Sequence, residues 1–111
     1  MSAKSVVYAA LTATGIPGRQ DAYPVGKAPT PPFFVYTVES QGGFVADGTI
    51  YAGLPRFHVE LFEKVSNAET EAMLRDAILS IGCVPDETGI WSESEVCHIE
   101  QYDFPYHNRE E

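Results

Sequence analysis

Pro29-Thr30-Pro31-Pro32-Phe33-Phe34-Val35-Tyr36 and, a few residues later, Phe44-Val45-Ala46-Asp47-Gly48-Thr49-Ile50-Tyr51 are the stretches that decide the fold. Pro29, Pro31 and Pro32 have no amide hydrogen to donate and bias the residues before them toward extended geometry. They deliver an extended chain into Phe33–Val38, whose aromatic and β-branched side chains favour a strand. Pro29–Pro32 also satisfies P-x-x-P, a peptide-ligand pattern. Its immediate run into Phe33-Phe34-Val35, which need burial, argues against free presentation. Gln41-Gly42-Gly43 turns the chain, and Phe44–Ala46 and Thr49–Ala52 then flank Asp47-Gly48, a two-residue hairpin signal. After a break at Gly53-Leu54-Pro55, Arg56–Glu63 alternates. Phe57, Val59 and Leu61 lie on one side and His58 and Glu60 on the other, the period-two pattern of a half-buried strand.

Outward from this centre the signals are helical. Val7, Ala10, Leu11 and Thr14 share one face of a helix over Lys4–Thr14, with Gly15 suited to its left-handed cap and Pro17 as a stop. Gly18–Pro32 is a long Pro- and Gly-rich connection of the kind that is usually functional or mobile. A second helix starts with a capping box at Ser66 and Glu69, gains Glu71 near its positive end, and carries Leu74, Ala77, Ile78 and Ile81 as its apolar stripe up to Gly82. Cys83-Val84-Pro85 begins a short strand, Asp86–Gly89 is a turn, and Glu95–Tyr102 is a closing strand. Trp91, the only tryptophan, reads as a core residue or an interface anchor, core being the commoner place for a single tryptophan in so small a domain. Residues 1–4 and 105–111 are expected to fray. The fold class is α+β, an antiparallel sheet of four to five strands with two helices packed on one face, in a single domain over 1–111.

Bulk properties narrow the function. Of 111 residues, 7 are basic and 16 acidic, giving a net charge of −9. That disfavours binding to a phosphate backbone, which needs clustered Lys and Arg; the basic residues here are scattered. No run approaches the ~18 apolar residues of a membrane span. The start, Met1-Ser2-Ala3-Lys4-Ser5, lacks the features of a signal peptide, so a cytosolic origin is expected. Two cysteines, Cys83 and Cys97, are too few for a disulfide framework and lack zinc-knuckle spacing, so they read as small semi-buried thiols and no metal site is assigned.

Familiar catalytic patterns are missing from the sequence: no G-x-S-x-G, no P-loop, no G-x-G-x-x-G. Cys97 beside His98 invites a thiol-nucleophile reading, but adjacent strand residues point to opposite faces. His58 and Glu60 share a face as a potential base and its orienter, against the plainer reading of a solvated polar surface. Asp86, Glu87, Glu93 and Glu95 lack a calcium-loop pattern.

The helix ending in Thr14-Gly15-Ile16-Pro17, the loop to Pro31-Pro32-Phe33-Phe34-Val35-Tyr36, and Phe44-x-Ala46-Asp47-x-Thr49-x-Tyr51 together resemble the small tail-completion (tail terminator) proteins of long-tailed bacteriophages and prophages. The similarity continues through Phe57-x-Val59-x-Leu61-Phe62, the acidic start of the second helix, Gly82, Trp91 and Ile99-x-Gln101-Tyr102, so it covers roughly residues 5–104. Gly48 departs from the asparagine expected there, and both residues tolerate positive φ. The resemblance implies a non-enzymatic subunit without cofactor. It would form a homo-oligomeric ring, typically a hexamer, while remaining monomeric in isolation. Its expected partners are the tail tube protein and the head–tail connector, with DNA passing through the lumen unbound and no membrane contact. Its expected place is the virion tail, assembled in the host cytoplasm. Pro31, Pro32, Tyr36, Phe44, Asp47, Gly48 and Tyr51 are the candidate assembly interface. Two alternatives stand beside it: a head-closure or neck subunit, and a small enzyme using His58 and Glu60 or Cys97 and His98.

Overall fold

The computed structural model describes residues 2–40, 44–46, 49–51 and 55–106. In chain order these form α1 (Ala3–Thr12), β1 (Gly18–Gln20), β2 (Phe33–Ser40), β3 (Phe44–Ala46), β4 (Thr49–Tyr51), β5 (Pro55–Glu63), α2 (Ala68–Ser80), β6 (Asp86–Ser92) and β7 (Cys97–Pro105). A five-stranded sheet runs β1-β2-β5-β7-β6, and β3 pairs with β4 as a separate two-stranded sheet. The architecture is α+β.

β5 is the centre. It pairs antiparallel with β2 from Phe33↔Phe62 to Ser40↔Pro55 and with β7 from Arg56↔Pro105 to Glu63↔His98. Its alternation therefore propagates in both directions: Phe34, Tyr36, Phe57, Val59, Leu61, Tyr102 and Phe104 all fall on one face and are all buried. Val7 and Leu11 of α1 and Leu74 and Ile78 of α2 join that same core. The Phe57 and Phe104 rings stack with centroids 5.6 Å apart. Because β6 and β5 both run antiparallel to β7, they are parallel to each other. α2 is the crossover such a pair requires, with β7 inserted between.

The sheet is mixed rather than wholly antiparallel. β1 pairs in parallel with β2, Gly18↔Phe34 to Gln20↔Tyr36. The connection expected from Gly18 to Pro32 thus opens with a strand, and only 21–32 crosses over. Gly, Arg and Gln carry no strand propensity, so backbone pairing alone selects β1. Gly18 has a further role: a Cβ there would lie 2.3 Å from the Phe34 ring, so the ring packs directly on its backbone.

Other expectations change. Asp86–Gly89 belongs to β6, which starts only after Pro85, and the turn falls at 93–96 instead. Trp91 sits on the edge strand β6 and is 51% exposed, not core. The cap of α2 is Asn67, whose Oδ1 accepts from Thr70 N at 3.1 Å, one residue later than the Ser66 box. At the C-terminal side Pro105 closes β7 and Tyr106 is buried, its amide donating to the Pro55 carbonyl at 2.9 Å. The expected turn at 41–43 and the break at 53–54 lie outside the described residues, as do Ala52 and 107–111.

Gly18→Ala should lower unfolding free energy by about 1–3 kcal/mol, because the buried Phe34 ring must move off an overpacked contact. Val25→Ala, on a fully exposed side chain, should be neutral by the same urea titration.

Candidate functional site

The sequence-derived interface residues separate in the structure. Tyr36 is 5% exposed, packed between Tyr8 and Phe57, so it serves the core and leaves the interface set. Its place in the strand explains this: Tyr36 is opposite Val59, in phase with the buried face. Pro31 is half-buried and Pro32 exposed, and the peptide bond between them is cis. Phe44 pairs with Tyr51 across the β3–β4 ladder. Asp47 and Gly48 lie outside the described residues.

His58 and Glu60 share the sheet face opposite the helices, as the alternation requires. His58 Nδ1 lies 2.8 Å from Asp103 Oδ1, and Nε2 lies 3.2 Å from Glu60 Oε2, which also accepts from Gln101 Nε2. Burial opposes charge on this ring, but the two carboxylates outweigh it and hold its pKa above the ordinary value. Both nitrogens are engaged by acids, so the imidazole has no free lone pair to act as a base. Cys97 and His98 point to opposite faces, and burial, then Glu95, push the Cys97 thiol upward, away from the reactive thiolate. Burial does the same to Cys83.

Sequence reasoning misses a polar cluster on the helix face. Glu63 ends the run Phe57, Val59, Leu61, and His98 and Glu100 precede Tyr102 and Phe104 on the same face of β7. α2 lays its first turn over them and adds Glu71. Glu71 Oε2 accepts from Ser66 Oγ at 2.7 Å and from the Asn67 amide at 3.1 Å, taking the capping role expected of Glu69. Although burial opposes it, these donors and neighbouring Glu63 hold the Glu71 carboxyl low. His98 Nε2 lies 2.7 Å from Glu100 Oε1 and 3.5 Å from Glu71 Oε2. Glycine at 89 makes room, since a Cβ there would meet Glu100 at 2.7 Å and His98 at 2.8 Å. Tyr102 Oη donates to the Glu71 carbonyl at 2.7 Å, fixing the helix to β7. Arg75 grips Glu87 with Nε and Nη2 at 2.7 and 3.0 Å, a bidentate pair at the cluster's outer side.

Glu63 is the exception in this network. It is 3% exposed, and neither carboxylate oxygen meets a hydrogen-bond donor. Burial, followed by the Glu71 carboxylate, pushes its pKa up to about 8. Protonated, Glu63 can donate to Glu71; ionised, it places a second negative charge against it. The sequence does hold a signal: Glu63 continues the apolar phase of β5, where a charged residue is out of place.

In metal-free buffer the sign follows directly. The folded state binds a proton that the unfolded chain releases near the ordinary 4.5, so Glu63's contribution is fully present below 4.5 and is lost as pH rises through about 8. Glu63→Gln keeps a donor toward Glu71 without titrating. It should flatten that decline and be more stable than the parent at pH 9 by on the order of 3 kcal/mol, measured by urea unfolding across pH. Tyr102→Phe should cost about 1 kcal/mol at any pH, through loss of the hydrogen bond to the Glu71 carbonyl.

Among the described residues no helix is long and apolar enough to cross a membrane. Scans against models of known protein families and against curated proteins return no match to this chain.

Proposed function

We propose that the chain is a tail-completion subunit of a long-tailed bacteriophage or prophage, a structural protein that caps the head-proximal end of the tail tube, ends its polymerisation and helps join tail to head. The observation that carries this reading is the β3–β4 hairpin. It branches from the Ser40–Pro55 end of the β2–β5 ladder and, among the described residues, its strands pair only with each other, as in an arm that is completed by a neighbour. A ring needs two different surfaces per subunit, one for each neighbour. The second is the edge of β6, where Trp91 and Ile90 are exposed on opposite faces of a strand with no outer partner among the described residues. Tryptophan at such a position is a characteristic interface anchor.

The remaining features agree with a building block. The His58 group on the open face has both ring nitrogens occupied by carboxylates, and both thiols are buried. The charge of −9 suits a ring whose lumen conducts DNA, since a repelled duplex slides instead of sticking.

Mixing the purified chain with the tail tube protein tests the reading. Rings seated at one end of each tube, seen by electron microscopy, are expected; failure to bind any tail component would overturn it. Trp91→Ala, and separately replacement of 44–51 by a short Gly-Ser linker, should each weaken tube binding by about tenfold or more while leaving the thermal unfolding of the subunit nearly unchanged.

A further inference from the structure

We propose that Glu63, Glu71 and His98 bind one divalent first-row transition-metal ion, tying the end of β5, the first turn of α2 and the start of β7 together. The inference is independent of the assembly reading. One ligand atom from each residue lies within 4.8 Å of the others. The 3.5 Å between His98 Nε2 and Glu71 Oε2 already matches the edge of a tetrahedron around an ion with ~2.1 Å bonds, which is about 3.4 Å. Closing the set requires the Glu63 carboxylate, within 4.8 Å of both partners, to draw in by rotation about its side-chain bonds.

Glu63 is the observation that points to a ligand rather than to a mere acidic cluster. A carboxylate 3% exposed, with neither oxygen receiving a donor, is costly to bury, and its open side faces Glu71 and His98. Its neighbours Glu71, His98 and Glu100 all have protein partners. Glu71 is held in place by Ser66 and Asn67, the outer support that metal-binding carboxylates commonly have. Glu100 Oε1 lies 2.7 Å from His98 Nε2, the nitrogen that would face the ion; it gives up that hydrogen bond when the ion binds and stands beside the ion as a fourth donor.

The donor set selects the metal. One imidazole with two or three carboxylates suits zinc, manganese or ferrous iron; calcium and magnesium take oxygen ligands and do not recruit imidazole. Charge agrees, because Arg75 already neutralises Glu87, leaving Glu63, Glu71 and Glu100 around one histidine. A cavity of about 180 Å³ lined by Pro31, Pro32, Val65 and Thr70 also borders Glu63.

Titration of the chelator-treated full chain with zinc by calorimetry, and with cobalt by visible absorption, provides the test. One ion per chain is expected, with a rise in Tm on binding. Glu63→Gln and His98→Gln should each weaken binding by roughly tenfold or more. A Glu93→Gln/Glu95→Gln double variant, altering only acids outside the cluster, should bind like the parent. Glu63→Gln is nearly isosteric and keeps the fold checkable by circular dichroism, so the test does not hang on His98→Gln folding. Absence of saturable binding, equal binding by parent and Glu63→Gln, or a cobalt–thiolate charge-transfer band placing the ion at Cys83 or Cys97 would each overturn the proposal.

Discussion

Burial of one face of β5 is the constraint on which the rest of this structure depends. β5 is hydrogen-bonded along its whole length on both sides, so its side-chain phase is imposed on β2 and β7 and cannot slip by one residue without turning Phe57, Val59 and Leu61 to the open face. Both helices then have one place to bury their apolar stripes. The crossover α2 follows from the same constraint, since β7 returns against β5 and pushes β6 to the edge. The exposed Trp91 is a consequence: β6 lies beyond the part of the sheet that the helices cover.

The same face carries its own contradiction at one end. Where β5 and β7 pass under the start of α2, the buried phase supplies Glu63, His98 and Glu100 in place of hydrophobic residues. Ordinary packing there would serve stability better, because burying polar groups costs free energy unless each is partnered. Glu87 is partnered by Arg75, Glu71 by the helix cap and Glu100 by His98. Glu63 alone in this group is left waiting for a proton or a cation. This asymmetry distinguishes the cluster from the His58–Asp103–Glu60 group on the opposite face, which is half-exposed and whose imidazole is fully satisfied.

Much of the framework is legible in residue order because it rests on periodicity. The alternation in 56–63, the stripe Leu74, Ile78 and Ile81, and the proline-delimited entry into Phe33 each encode one element locally. What is not legible depends on partners distant in sequence. β1 has no propensity of its own and exists only because β2 offers its edge. Asp86–Gly89 looks like a turn in isolation, yet pairing with Glu100–Asp103 of β7 makes it a strand, with Gly89 opposite Glu100. Tyr36 reads as surface because tyrosine is amphipathic, whereas its phase relative to Val59 decides its burial. The polar cluster is hidden for the same reason. Glu71 reads as a favourable charge at a helix start, and only the fold reveals that this start is capped against a sheet.

The two proposals meet in the position of α2. Its N-terminal turn is held down by the Glu71–Tyr102 hydrogen bond and by the cap at Asn67, while its C-terminal end leads through Gly82 to the edge strand β6. An ion at Glu63, Glu71 and His98 would add a third tie at the same turn, beside Trp91, whose strand neighbour on β7 is His98. Rigidity at the cluster would therefore be passed directly to the proposed assembly edge. Preorganising an edge strand lowers the ordering cost that association must meet. On both proposals together, a metal-free subunit would then assemble more weakly than a loaded one.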